Sequence, residues 1–383
     1  RPRAVSWNRS RVGSIRLVGN LSQEVPVMPD ARAGSPVDVL RNYLLRADER
    51  AIFRALPRQI ADALSCEPRL TLELLVEAMF RGDAILHWEL FCPACEFRSE
   101  EPDWLRHAQH NYTCPACGNT YAVHLDDEAQ VTFSPHPTLR VLSPLADDPV
   151  FQRELRLRFP PTTVYELMTV QAFRDWARDE PLPLEEHLEV RHIVLWFSDL
   201  TGSTALYARN GDPLAYNLVR EHFDLVFEAV NRHQGAVVKT MGDGIMAVFV
   251  AGARAVEAAL AAHQALDDFN QQRGLTGDER LMLKIGIHAG PSIVVTLSDR
   301  LDYFGNTVNV ASRVSDLARG TQTMFTESIQ ADAEVQAVIA GYDVQSFHSE
   351  IRGLGQSLTV HRLVKSETTS GKESSLKPWL RRS

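Results

Sequence analysis

Long apolar runs are missing from this sequence. No stretch of about eighteen consecutive apolar residues occurs anywhere in the 383 positions, which excludes a hydrophobic membrane-spanning helix from them. A surplus of positive charge is missing too. Forty Lys and Arg stand against 49 Asp and Glu, a formal charge of -9, which argues against nucleic acid as a partner because binding its backbone needs a basic face. Cysteine is scarce, five in all, and its spacing is not that of a secreted disulfide scaffold. No internal repeat is visible. What remains, 44% hydrophobic and 23% charged, is ordinary for a globular chain with room for two or three cores.

Four of the five cysteines sit in two identical blocks, Cys92-Pro-Ala-Cys95 and Cys114-Pro-Ala-Cys117, with 18 residues between them. Each block supplies two thiolates from one tight turn, and two such turns make a closed tetrahedral site for Zn²⁺. The pattern looks like the paired knuckles of a zinc ribbon and implies structural zinc stapling a small subdomain. His107 and His110 lie between the pairs as spare candidates. Cys66 falls in a helical pattern, as a small buried apolar residue. Ribbons also bind nucleic acid or protein, but HWELF, FRSEEPDW and HLDDEAQ make this one's surroundings acidic.

Residues 1–35 carry no clear element. From Pro36 to about Gly82 apolar residues recur at helical intervals, with Pro57 ending or kinking one helix and Gly82 stopping another. The period then shortens. AILHWELF (84–91) and TYAVHL (120–125) read as strands, and short strands continue through VTF and LRVL to about Leu142. One helix is expected over 163–179, before the Pro- and Glu-rich stretch DEPLPLEE. Beyond it the pattern is α/β. IVLWFS (193–198) is an apolar strand, followed by a helix from about Pro213 to His233 and a hairpin, GAVVKT and GIMAVFV, around MGDG. A helix at 252–270, strands LMLKIGIHAG and SIVVTLS, a helix from Thr307, TMFT, a helix near 326–339 and LTVHRLV complete a mixed sheet. His288, within IGIHAG, reads as a satisfied core or rim histidine. From Ser366 the tail is polar and without apolar period, the signature of disorder.

Three stretches carry chemistry. WFSDLTGST (196–204) and KTMGDGIMAVF (239–249) each place a carboxylate, Asp199 and Asp243, on a Gly-flanked turn beside an apolar strand. One such Asp is usually a turn former. Two at neighbouring strand ends make an oxygen-ligand site suited to Mg²⁺ or Mn²⁺. Gly202, Ser203 and Thr204 add backbone N–H groups at a helix start, a cradle for phosphate. In LDYFGNTVNVASR (301–313), Asn309 and Arg313 are four apart on a helix and share a face, where an amide and a guanidinium can orient a ribose and stabilise phosphoryl charge.

In order and spacing, these segments resemble the class III nucleotide cyclases, the adenylate and guanylate cyclase family, over residues 188–365. EIRGLG (350–355) is similar to a Gly-containing loop near that family's C-terminal end. The resemblance implies an α+β fold: a ferredoxin-like mixed sheet with flanking helices, here preceded by a helical segment and a small zinc-ribbon β subdomain. It implies two divalent ions per site, Mg²⁺ or Mn²⁺, at Asp199, Leu200 and Asp243. It implies Lys239 and Asp302 as readers of the base, Asn309 on the ribose, Arg313 at the α-phosphate, and Gly202, Ser203, Thr204 and Arg352 on phosphate. In the family's homodimers the metal carboxylates come from one protomer, and Lys239, Asp302, Asn309 and Arg313 would come from its partner. A two-fold pair then has two equivalent sites.

Base preference follows from hydrogen bonding. Adenine offers an N6 donor to Asp302 and an N1 acceptor to Lys239, whereas guanine presents the reverse. Each mispaired buried group costs roughly 1–3 kcal/mol. The expectation is an adenylate cyclase converting ATP to 3′,5′-cyclic AMP and pyrophosphate, a cytoplasmic homodimer. Its regions would be helical (1–82), zinc-ribbon-like (83–143), a linker with a helix (144–187), catalytic (188–365) and a tail (366–383), the N-terminal region being a candidate regulator. A guanylate or pyrimidine nucleotide cyclase, or a nucleotide-binding or zinc-ribbon sensor without turnover, are the alternatives.

Overall fold

The computed structural model describes residues 35–100, 109–177, 187–201, 212–297, 300–350, 355 and 357–364; the expected tail at 366–383 lies outside them. Four helices come first: α1 (Pro36–Arg46), α2 (Glu49–Ile52), α3 (Pro57–Leu64) and α4 (Pro68–Arg81). Proline stands in the first turn of α1, α3 and α4, where no N–H is needed, so Pro57 opens a helix instead of ending one. Asp48 caps α2 by accepting from the Arg50 N–H. Gly82 closes α4 in the left-handed conformation, at φ 76°. Cys66 lies in the break between α3 and α4, not within a helix, because Ser65 turns left-handed at φ 52° and ends α3.

Five strands follow: β1 (Ala84–Phe91), β2 (Arg98–Glu100), β3 (Asn111–Thr113), β4 (Thr120–Ala122) and β5 (Ala129–Pro135). Strands β1 and β5 pair antiparallel from Ala84↔Pro135 to Leu90↔Ala129, and β3 and β4 form a separate hairpin. The stretch 139–142 is not a strand; the Leu139 and Arg140 N–H groups fold back onto the His136 carbonyl. Then come α5 (Pro149–Arg158), β6 (Thr162–Thr163), α6 (Val164–Met168) and α7 (Gln171–Trp176), giving a first sheet of order β2-β1-β5-β6. The single helix expected over 163–179 is therefore broken. Arg69 of α4 takes the Thr169 carbonyl at 2.6 Å, diverting it from helical bonding, and Val170 is extended.

The remaining elements are β7 (Leu188–Leu200), α8 (Asp212–Arg232), β8 (Ala236–Met241), β9 (Gly244–Phe249), α9 (Gly252–Arg273), β10 (Leu283–Leu297), β11 (Arg300–Phe304), α10 (Asn306–Leu317), β12 (Thr323–Thr326), α11 (Glu327–Gln330), α12 (Ala333–Ile339), β13 (Asp343–Glu350) and β14 (Ser357–Val364). They build a mixed sheet of order β13-β14-β12-β10-β7-β9-β8, with β11 folded back on β10. Its one parallel pair among the described strands is β10 with β12. LMLKIGIHAG and SIVVTLS are one strand, β10, interrupted by an irregularity around Pro291. The helix expected at 326–339 is two, α11 and α12, the second capped by Asp332 accepting from Glu334 N–H.

Strand β7 is buried on both faces, and its sequence explains how. Opposite Pro291 it carries two residues, Arg191 and His192, a β-bulge that shifts the alternation by one. Val190 and Ile193, an odd number apart, therefore face the same side. Leu188, Val190, Ile193, Leu195 and Phe197 join a core with Leu44, Trp88, Phe133, Tyr165 and Phe173 from the preceding elements. Val194, Trp196 and Leu200 face a second core with Val226 of α8 and Val256 and Leu266 of α9. One continuous core thus runs from the N-terminal helices into the mixed sheet. No helix among the described residues is long and apolar enough to cross a membrane.

Candidate active site

Strand pairing brings the two aspartates together. Ser198 of β7 pairs with Ile245 of β9, which sets Asp199 opposite Gly244, the residue after Asp243. Gly242, at φ 66°, takes the left-handed first corner of the two-residue turn between β8 and β9 and leaves Asp243 at its second. The approach is close. A Cβ on Gly244 would lie 2.7 Å from the Ser198 carbonyl oxygen and 3.6 Å from Asp199 Oδ1. Asp243 Oδ2 is buried without a hydrogen-bond partner, while Asp199 Oδ2 lies 2.6 Å from Lys284 Nζ, its neighbour across the β7–β10 ladder.

A bare carboxylate oxygen in a buried position costs several kcal/mol unless a cation or donor meets it. Two carboxylates on adjacent strand ends, one of them so exposed to that cost, fit a hard divalent cation: all-oxygen donors, with room left for water and phosphate. Leu200 ends β7 beside them with its side chain buried, so its backbone is what it can offer. Gly202, Ser203, Thr204 and Arg352 lie outside the described residues.

Two neighbours of the aspartates had escaped sequence reasoning. Lys284 is one, visible only once the ladder register is known. His222 is the other: it is fully buried on α8, with Nδ1 at 2.7 Å from the Val219 carbonyl. Burial lowers its pKa, against the Val219 carbonyl and the negative charges of Asp243 and Asp199, which favour the proton. Its helical spacing from Val219 and Val226 reads as plain core, so the sequence carries no signal for it.

Lys239 and Asp302, 63 positions apart, are brought into contact at 2.5 Å (Nζ to Oδ2). Lys239 sits on β8 just past a register shift after Val237; Asp302 is buried on β11, with Oδ1 also accepting from the Tyr303 N–H at 2.8 Å. Helix α7 holds both strands. Gln171 Oε1 accepts from the Val237 N–H at 2.7 Å, and Arg174 donates to the Leu301 carbonyl at 2.7 Å and the Tyr303 hydroxyl at 3.2 Å. Asn309 and Arg313 stand exposed on one face of α10, whose other face buries Val310, Ala311 and Val314; Arg313 pairs with Asp316 at 3.3 Å. His288 is no part of this group. Its Nδ1 meets Thr326 Oγ1 at 2.7 Å, and burial lowers its pKa to about 4.

The four CPAC cysteines converge as well. Cys92 and Cys117 sulfurs are 3.7 Å apart, as are those of Cys95 and Cys114, and all four lie within 4.8 Å of one another. That is too long for a disulfide. It matches the separation of roughly 3.8 Å that four sulfurs at about 2.3 Å from a tetrahedral Zn²⁺ require. The two knuckles repeat one backbone pattern. Cys92 accepts from Glu96 N–H and Cys114 from Gly118 N–H, each at 2.9 Å, with Glu96 and Gly118 at positive φ. His107 lies outside the described residues.

Comparison with known proteins bears on the family of the C-terminal segment. Residues 186–356 match the Adenylate and Guanylate cyclase catalytic domain family, and residues 24–156 match a family of unknown function, DUF5939. The C-terminal segment is a class III nucleotide cyclase catalytic domain. It is similar to an adenylate cyclase of Anabaena cylindrica, 32% identical over 38% of this chain and 32% of that protein. It is similar also to Guanylate cyclase 2G of Rattus norvegicus, 28% identical over 45% of this chain and 16% of that one. The chain thus spans about a third or less of the length of these relatives. Among solved structures it resembles the adenylyl cyclase CyaB from P. aeruginosa, 20% identical over 48% of this chain and 98% of that one, with a TM-score of 0.41.

Proposed function

We propose that this protein is an adenylate cyclase, forming 3′,5′-cyclic AMP and pyrophosphate from ATP in a homodimer. The observation that carries the reading is the pair Asp199 and Asp243, set side by side by strand register with the Asp243 Oδ2 left buried and bare. Divalent Mg²⁺ or Mn²⁺ bound there would lower the pKa of the ribose 3′-hydroxyl and neutralise the triphosphate. Asp199, Asp243 and the Leu200 backbone hold that charge in place. Asn309 and Arg313, exposed on α10, are free to act across a two-fold interface: the amide orients the ribose, and the guanidinium donates to the α-phosphate as charge grows there.

The base is read by Lys239 and Asp302. Their 2.5 Å contact shows that donor and acceptor already face one another. An adenine edge entering between them takes both, N1 from the ammonium and N6–H to the carboxylate. The test is turnover of purified protein with each of the four nucleoside triphosphates and Mn²⁺ or Mg²⁺, reading cyclic nucleotide and pyrophosphate. Cyclic AMP should dominate, and Asp199→Ala and Asp243→Ala should each reduce it by at least a thousandfold, about 4 kcal/mol of transition-state stabilisation. A dimer that turns over GTP in preference to ATP overturns the base assignment; one in which either alanine variant stays active overturns the metal site.

A further inference from the structure

We infer that the protein carries a second transition-metal site, separate from the cysteine cluster, at the seam where the ribbon meets the first strand of the cyclase sheet. His110, two residues before Tyr112 of the ribbon hairpin, and His187 and Glu189, at the start of β7, place one ligand atom each within 4.8 Å of one another. The imidazoles of His110 and His187 stack with ring centroids 4.9 Å apart, and His110 Nε2 is 3.9 Å from Glu189 Oε1. A third histidine closes the group. His124 Nε2 lies 3.4 Å from Glu189 Oε2, while its Nδ1 lies 2.9 Å from Glu128 Oε2.

Among the described residues, the groups paired with Glu189 are histidines, with no Lys or Arg on it. Arg191 serves Glu128 instead, at 2.9 Å. His124 faces a carboxylate from each ring nitrogen and so ties Glu189 to Glu128. A divalent ion held by the two imidazoles and the Glu189 carboxylate accounts for the cluster, with His124, between Glu128 and Glu189, buttressing that ligand from outside. All three ligand residues are half-buried, and the group contains no cysteine. That donor set suits Zn²⁺ and its analogue Co²⁺ with a position left open, not Mg²⁺. Closure needs a contraction of at most about 1.4 Å, since nitrogen and oxygen ligands at about 2.0–2.2 Å stand roughly 3.4 Å apart.

The placement gives the site a consequence. His110 belongs to the ribbon; Glu189 sits ten residues before Asp199 on the same strand, roughly 33 Å along it. The ion clips the ribbon to the strand that carries the first metal-site aspartate. The test uses the whole chain, stripped by chelator under reducing conditions and titrated with Co²⁺. Apart from any weak-band cobalt on the Asp199–Asp243 pair, which a parallel titration of an Asp199→Ala/Asp243→Ala variant subtracts, the chain should take two equivalents: one giving the intense thiolate-to-cobalt charge-transfer absorption of the cysteine cluster, one adding only weak ligand-field bands. His187→Ala and Glu189→Gln should each lose the second equivalent while keeping the thiolate band, which also certifies that the ribbon is folded. Wild type saturating without the weak-band equivalent, or both variants retaining it, overturns the assignment; simple protonation of the three histidines predicts the first of these.

Discussion

Replacing Arg174 by Met asks whether α7 holds the strand of Asp302, the proposed base reader. Arg174 is 8% exposed, donates to the Leu301 carbonyl and the Tyr303 hydroxyl, and lies with its guanidinium 5.4 Å from the centre of the Tyr303 ring. Asp302 sits between those two partners. Methionine keeps most of the volume and removes the donors, leaving a buried carbonyl and a buried phenol without partners, at about 1–3 kcal/mol each. The sum, about 2–6 kcal/mol, is a large share of the 5–15 kcal/mol that ordinarily separates folded from unfolded. Calorimetry should show the transition lowered by roughly 5–15 °C. Activity measured well below that transition should separate two roles. If β11 loosens around Asp302, kcat/KM for ATP should fall by about five- to tenfold, the value of one weakened hydrogen bond, chiefly through KM. An unchanged transition temperature together with an unchanged KM would show that Arg174 positions nothing.

Gly244→Ala should spoil the aspartate pair without touching a carboxylate, because the new methyl would sit 2.7 Å from a backbone oxygen that cannot rotate away. The hairpin must shift, at about 1–3 kcal/mol, so the Mn²⁺ concentration for half-maximal activity should rise several-fold; an unaltered Mn²⁺ titration refutes the packing argument. Lys239→Glu should cost ATP turnover at least tenfold by removing the N1 donor and setting two carboxylates face to face, and full retention of ATP preference refutes its role. Stability should fall on acidification. His87 and His288 are both brought down by burial to about 4, so between pH 6.5 and 4 the unfolded chain binds more protons than the folded one. Their contribution is complete above pH 6.5, and each loses roughly 2 kcal/mol between pH 7 and pH 5. A double variant, His87→Leu with His288→Gln, should flatten that slope in urea titrations; the same slope in the variant places the acid sensitivity elsewhere.

What the sequence made legible was local. A two-residue turn with Gly at its first corner dictates the Met241–Gly244 hairpin, and a fully apolar run such as IVLWF can only be a strand covered on both faces. The cysteine knuckles are legible for the same reason, since their chemistry is set by spacing within a turn. The break in the helix expected at 163–179 was not, because Arg69, 100 positions away, takes the Thr169 carbonyl. Nor was the bulge at Arg191 and His192, which no composition announces and which decides the face of half of β7. Lys284 escaped because only ladder register puts it beside Asp199.

The same distinction bears on control of the site. Sequence motifs point to the groups proposed to meet the nucleotide, and nothing in those motifs reaches the first 180 residues. The structure supplies the connection through α7. Trp176 lies 6.5 Å from Phe80 of α4, ring to ring, while Gln171 and Arg174 of the same helix bind the strands of Lys239 and Asp302. Helix α7 is six residues long and hangs from a break that Arg69 of α4 enforces. A displacement of α4 cannot leave α7 in place without breaking the Arg69 hydrogen bonds, and α7 cannot move without loosening the Val237 and Leu301 contacts. The pair proposed to read the base is thereby fastened to the N-terminal helices, whereas the aspartates sit on β7 and its neighbours. Strain arriving from the N-terminal side should therefore register in nucleotide affinity and choice before it registers in metal binding.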